Sequence, residues 1–324
     1  MKNIKLGSTP ITDMFLGSTS IVKAYVGNVL VFSKEEAPPV DNTRPVEEWS
    51  FTGHTSIVYG IATDNEGNVY SGSQDKTVRK ISSTGSEVWV FTGHTNIVYS
   101  IATDNEGNVY SGSQDKTVRK ISSTGSRIWT FTGHTNWVNS VATDNEGNVY
   151  SGSDDNTVRK ISSTGSEVWK FTGHTNIVFS VAADINSNAY SGSQDNTIRK
   201  ISSTGAEVWK FTGHTSVIYS IATDNEGNVY SGSQDRTVRK ISSAGNEIWS
   251  FTGHTNIVYS VDIDSKGNVY SASQDKTVRK ISSTGSEVWV FTGHTSAARG
   301  VTVGLNNNVY SCSQDRSVRK IRQE

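Results

Sequence analysis

The sequence predicts an all-β, seven-bladed β-propeller of four-stranded blades, closed by an N-terminal strand and preceded by a small β-rich module. Three observations carry that expectation. One 40-residue unit recurs without a slip of register, marked by Gly53-His54, Gly93-His94, Gly133-His134, Gly173-His174, Gly213-His214, Gly253-His254 and Gly293-His294, which hold every histidine of the chain. Each unit contains four short runs rich in β-branched and aromatic residues, and a period of about 40 residues with such spacing is the signature of one blade per repeat. The array also opens on VEEWSF (46–51), equivalent to the last run of a repeat, and stops at SVRKIRQE, after the third run.

The elements follow in chain order. Residues 1–32 carry a shorter repeat, Leu6-Gly7-Ser8-Thr9, Leu16-Gly17-Ser18-Thr19 and Val26-Gly27-Asn28, with the strand-like runs MFL, IVKAYV and VLVF between the glycines, so three or four short strands are expected. A piece of that size buries too little to be stable alone and is expected to dock on a partner or to self-associate. Residues 33–45 hold three of the four prolines among mixed charges and read as a semi-rigid linker. Residues 46–324 form the propeller.

In the second repeat the runs are EVWVF (87–91), IVYSIAT (97–103), NVYSGS (108–113) and TVRKIS (117–122), separated by GHTN, DNEG, QDK and STGS. Gly, Asn and Asp in those connections tolerate positive φ and suit hairpins. Neighbouring blades cover both faces of a blade, so Val98, Ile101, Val109, Val118 and Ile121 are the expected core without strict alternation. Because the last blade lacks its fourth strand, residues 46–52 are expected to pair with 317–322 and remove the open edge.

Composition limits the function. The formal net charge is -1 at pH 7, which gives no long-range attraction to nucleic acid or to an anionic membrane. The N-terminus lacks a continuous apolar run, so neither a secretory signal nor a membrane-spanning segment is expected there. The single cysteine, Cys312, stands where other repeats have Gly72, Gly112, Gly152, Gly192, Gly232 or Ala272, and reads as a small buried filler. One histidine per blade places the seven on a ring where they cannot converge on one ion, so no metal and no catalytic site is expected. The DNEGN loop (64–68) lacks the ligand spacing of a calcium loop and reads as a β-turn. The Arg79-Lys80 pair and its six copies hold 14 of the 30 basic residues; acidic residues recur at the same period, so these are expected to lie along tryptophan rings rather than form a nucleic-acid stripe.

GH followed by SGSQDKTVRKI resembles the WD-repeat pattern over residues 46–324. That resemblance implies a blade-stiffening network in which His54, His94, His134, His174, His214, His254 and His294 meet Asp75, Asp115, Asp155, Asp195, Asp235, Asp275 and Asp315. Ile121-Ser122 occupies the place of the family's Trp-Asp, so the network is expected to lack its indole. The stretch NVYSGSQDKTVRKISSTGSEVW also resembles the quinoprotein-type repeat, through Thr84-Gly85 and Trp89. No quinone cofactor follows, because near-identical repeats leave no unique cluster of acid, base and metal ligand. The N-terminal Leu-Gly-Ser-Thr pattern resembles repeats at the start of minor structural proteins of tailed bacteriophages, which implies attachment to a virion.

Function is expected where copies differ. Repeats one and two differ at 5 of 40 positions, whereas blade three carries Trp137, Asn139, Asp154 and Asn156, and blade seven carries Ala297, Ala298 and Arg299. In WD-repeat propellers these positions face one rim, and an exposed tryptophan beside polar groups suits a glycan or a protein hot spot. The expected reading is a non-enzymatic virion protein, without cofactor, that displays the ring to a host-surface glycan or protein; a bacterial cytoplasmic interaction scaffold is the alternative.

Overall fold

The computed structural model describes residues 5–6, 9–10, 14–16, 19–21, 23–26, 29–33, 45–304 and 307–322. By contacts the chain divides into two units, Met1–Asn42 and Thr43–Glu324.

In the first unit the described strands are β1 (Lys5–Leu6), β2 (Thr9–Pro10), β3 (Met14–Leu16), β4 (Thr19–Ile21), β5 (Lys23–Val26) and β6 (Val29–Ser33). They pair β1–β2, β3–β4 and β5–β6 as three two-stranded antiparallel sheets. Among the described residues there are thus six strands rather than three or four: each ten-residue period makes a hairpin, not a single strand. Of the expected linker, residues 34–44 lie outside the described residues.

The second unit is seven four-stranded antiparallel sheets. Blade one runs β8 (Val58–Thr63), β9 (Val69–Ser73), β10 (Val78–Ile81) and β11 (Glu87–Phe91), in that spatial order, and blades two to six repeat it. Blade seven contains β32 (Ala298–Val303), β33 (Val309–Ser313) and β34 (Val318–Arg322), and its fourth strand is β7 (Val46–Phe51). The register Val318↔Phe51, Lys320↔Trp49 and Arg322↔Val46 closes the ring as the truncated array requires.

Each interface between blades is a small apolar core. In blade two Val98, Val109, Val118 and Ile121 are fully buried and Ile101 nearly so, with Tyr110 and Phe91 added to that set. The second strand (VYSGS) is buried along its whole length, because it is flanked within the sheet and covered on both faces. The repeat glycine there is required by close approach: a Cβ on Gly112 would meet Val138 Cγ1 at 2.9 Å in the next blade. Cys312 takes that place in blade seven, where its partner across the strands is Gly300 instead of the usual serine.

Polar bonds stitch successive blades. Trp89 Nε1 donates to the Ser123 carbonyl at 3.1 Å, and Trp49, Trp129, Trp169, Trp209 and Trp249 repeat the bond. Around the central channel the Val141 amide donates to Ser100 Oγ at 3.0 Å, and the next four junctions repeat this through Ser140, Ser180, Ser220 and Ser260.

The basic pairs differ from expectation. Lys80 Nζ lies 5.3 Å over the Tyr70 ring rather than on a tryptophan. Its neighbours across the sheet are Tyr70 on one side and Trp89 on the other, and the Asp64 carboxylate, 3.7 Å from the ammonium, draws it to the tyrosine side. Arg79 instead meets Glu87 Oε2 at 2.5 Å.

Candidate functional site

Two sets of residues recur at the ring's polar positions, and their geometry separates a structural role from a binding one. In every blade the histidine of the Gly-His pair is buried, with Nδ1 against the turn aspartate and Nε2 against a serine. His94 lies 2.8 Å from Asp115 Oδ2 and 2.7 Å from Ser111 Oγ; His54, His134, His174, His214, His254 and His294 do the same with Asp75, Asp155, Asp195, Asp235, Asp275 and Asp315. Asp115 also accepts the Thr95 and Thr117 amides and the Thr117 hydroxyl. Burial alone would raise the Asp115 carboxyl, but the bonds from His94 and Thr117 outweigh it and hold the group well below the usual carboxylate range. Burial lowers the His94 imidazole, partly offset by Asp115, so the ring is held neutral as Nδ1–H donor to the carboxylate. With all its partners inside one blade, this network has nothing left to offer a ligand. Among the described residues no group of three or more histidine, cysteine or acidic side chains is placed to hold a metal ion.

The binding geometry lies at one mouth of the central channel. The second residue of each innermost strand points there: Tyr59, Tyr99, Asn139, Phe179, Tyr219, Tyr259 and Arg299. With Trp137, Asp154 and Ile177 they line a concavity of about 270 Å³. Neighbouring rings touch: Tyr59–Tyr99 centroids are 5.3 Å apart, Phe179–Tyr219 4.9 Å, Tyr219–Tyr259 5.4 Å and Tyr99–Trp137 6.2 Å. Such offset and edge contacts hold the faces in place without filling the centre.

Blades three and seven interrupt the wall. The Asp154 amide donates to the Trp137 carbonyl at 2.9 Å, which ties the turn to the start of the innermost strand. Asn139 Nδ2 then donates to Asp154 Oδ1 at 2.7 Å and to the Val178 carbonyl of blade four at 3.1 Å. Burial raises the Asp154 carboxyl, partly offset by the Asn139 bond. Trp137 remains 38% exposed. In blade seven the Arg299 guanidinium carbon stands 3.9 Å from the centre of the Tyr259 ring and 5.5 Å from that of Tyr59, a cation inserted between two aromatic faces. Burial, then Tyr59 and Asp154, push the Tyr99 hydroxyl up to about 12, so it is a neutral donor at any physiological pH.

The structure therefore brings Trp137, Asn139, Asp154 and Arg299 to one concavity, although Arg299 belongs to the blade on the far side of the ring. Asn156 is elsewhere: it sits at φ 65° in the turn between the second and third strands, outside the lining. Sequence reasoning missed the aromatic wall itself. Its signal was present, because Asn139 and Arg299 mark the repeat position at which Tyr59, Tyr99, Phe179, Tyr219 and Tyr259 stand. It also missed Asp262, which replaces the alanine of earlier repeats in the channel. Burial pushes the Asp262 carboxyl up to about 6 despite bonds from the Val303 and Ile263 amides.

Comparison with known proteins gives three findings. The family model described as outer membrane protein assembly factor BamB matches residues 74–192 and 194–316. The model described as WD domain, G-beta repeat matches residues 46–81. Among solved structures, the WD40 beta propeller domain of Doa1 is similar at 25% identity with a TM-score of 0.80, over 86% of this chain and 97% of that one. No curated protein matches the chain.

Proposed function

The chain belongs to the family described as outer membrane protein assembly factor BamB, and from that premise we propose that it is a non-enzymatic binding protein whose partner docks at the aromatic channel mouth. The observation that carries this reading is the break in symmetry there. Six aromatic side chains and two oppositely charged ones, Asp154 and Arg299, line a concavity, while polar networks elsewhere in the ring are closed within or between blades. An apolar hollow with a few placed polar groups is the usual form of a recognition site. The likeness to the WD40 propeller of Doa1 supports a role in interaction rather than catalysis.

The reading extends to a bacteriophage particle, with residues 1–32 as attachment and the ring displayed to a host-surface glycan or protein. The Leu-Gly-Ser-Thr repeats support that extension; a bacterial cytoplasmic scaffold is the alternative location for the same mouth. The test of the docking site is retention of partner by the full chain against Trp137→Ala, with circular dichroism to check folding. A folded variant that retains partner as well as the parent refutes the site. Mass spectrometry of purified particles tests the location, and absence of the chain from them refutes the virion role.

A further inference from the structure

Taking the channel mouth as the docking site, the chemistry of its wall and floor narrows what fits. Below the aromatic wall the channel continues into a second space of about 140 Å³. Its floor carries Ser100, Ser140, Ser180, Ser220 and Ser260, one hydroxyl from each of blades two to six. Each Oγ accepts an amide from the next blade, at 2.9–3.1 Å for all five, so these oxygens are fixed in position; Ser260 turns its own O–H to the Val301 carbonyl at 3.4 Å, which leaves the O–H groups of Ser100, Ser140, Ser180 and Ser220 for the floor. A hollow with ring faces on its walls and hydroxyls on its floor suits a ligand that is apolar on one face and rich in hydroxyls at its edge. It does not suit a wholly apolar side chain, which would desolvate the floor without satisfying it.

Charge narrows the ligand again. Arg299 is the one cationic and Asp154 the one anionic side chain among the described residues that line the mouth, and they stand in blades seven and three, three blades apart around the ring. Arg299 is spread over Tyr259, so its planar charge faces the same hollow as the rings. Asp154, whose orientation is held by Asn139, accepts hydrogen bonds from the other side. About 270 Å³ is smaller than the hollow that a drug-sized ligand fills, and is of the size of a single sugar residue.

We infer that the channel mouth binds one carboxylate-bearing sugar residue at the end of a glycan. Its C–H face stacks on Trp137 and Tyr99, its hydroxyls meet Asp154 and the serine floor, and its carboxylate lies toward Arg299. This rests on the docking site proposed above, and it fails separately from it.

The experiment is calorimetric titration of the full chain with galacturonate, glucuronate and N-acetylneuraminate, against the neutral sugars galactose and glucose. At least one acidic sugar is expected to bind about tenfold more tightly than its neutral counterpart, since a hydrogen bond to a charged group is worth about one such factor. That preference should weaken with added salt and vanish in Arg299→Gln. Asp154→Asn should weaken acidic and neutral sugars alike, in a protein whose melting curve is unchanged. Equal binding of acidic and neutral sugars overturns the inference, as does a preference that survives Arg299→Gln. So does binding of none of these sugars, or capture of a peptide through its C-terminal carboxylate in their place. In those last two cases the Trp137→Ala retention test still judges the docking site.

Discussion

Asn139 Nδ2 and Asp154 Oδ1 are 2.7 Å apart in blade three, at two positions that are both altered from the repeat. In the other blades except the seventh, which has Arg299, these positions are an aromatic residue and a glutamine, as in blade six, where the Tyr259 hydroxyl donates to Gln274 Oε1 at 3.3 Å. The two substitutions form one unit, a neutral tyrosine–glutamine contact exchanged for an amide–carboxylate one.

Returning both residues to the repeat, Asn139→Tyr with Asp154→Gln, should leave the ring folded, with a melting temperature within about 3 °C of the parent. Partner retention should fall. Asn139→Ala alone strips the half-buried Asp154 carboxylate of its donor and should cost about 1–2 kcal/mol in urea unfolding. A double variant that retains partner fully would deny blade three a role at the mouth.

Removal of the buried histidine in the middle of a blade tests the stiffening network. His94→Ala leaves Asp115 and Ser111 without their shared partner and should cost about 2–3 kcal/mol. His174→Ala should cost about the same, because its distances to Asp195 and Ser191 match. Denaturant midpoints that differ widely between the two variants would contradict equivalent blades.

In blade seven Gly300 and Cys312 exchange the sizes found in blades two to five, where serine faces glycine across the same two strands. A Cβ on Gly300 would lie 2.8 Å from Cys312 Sγ, so Gly300→Ser alone should destabilise by about 1–3 kcal/mol. Combining it with Cys312→Gly should recover most of that loss. Additive effects in the double-mutant cycle would mean that the pair is not coupled.

The closing strand carries its own pairing. In blade one Lys80 reaches Asp64, but blade seven has Gly304 at that loop position, and Lys320 Nζ instead meets Glu48 at 3.0 Å. Glu48 stands where the other outer strands expose Val88, Ile128, Val168, Val208, Ile248 or Val288. Arg319 adds a contact to Glu47. Glu48→Lys should speed amide exchange in β7 and β34 before the other blades are affected, and adding Lys320→Glu should partly restore protection. Uniform exchange across all blades in Glu48→Lys would show that this pair does not hold the latch.

Stability should decline on both sides of neutral pH. The seven turn aspartates are held below the usual range in the folded ring, so their contribution is present above pH ~4 and is lost as pH falls through their folded values. His94 and His134 are lowered by burial, so the unfolded chain takes up protons first and stability begins to fall below pH ~6.5. Asp262 acts oppositely: raised to about 6, it holds a proton that the unfolded chain releases, and it favours folding as pH drops from there. At the alkaline end, burial and the bond to Asp104 raise the Tyr110 hydroxyl, and stability is lost above pH ~10. Urea midpoints from pH 3 to 11 should show this dome, and Asp262→Asn should steepen the decline between pH 6 and 4. A flat profile would contradict the network.

Most of the ring was legible because a perfect period repeats every local signal: the strand runs, the turn residues and the His–Asp spacing recur seven times. Its closure followed from where the array starts and stops. The lysine contacts did not follow, since Lys80 lies between Tyr70 and Trp89 and only the Asp64 carboxylate in the folded blade decides the side. The six hairpin strands of residues 5–33 were undercounted because a two- or three-residue strand has too few positions for a period to register.

By itself the sequence determined the number of blades, the closing strand and the positions where symmetry breaks, because each depends on order and spacing along one chain. Only the tertiary structure decided that Trp137, Asp154 and Arg299 share one hollow. They are separated by up to 162 residues along the chain, and it is the circular closure of identical wedges that turns equal repeat positions into neighbours around a single mouth.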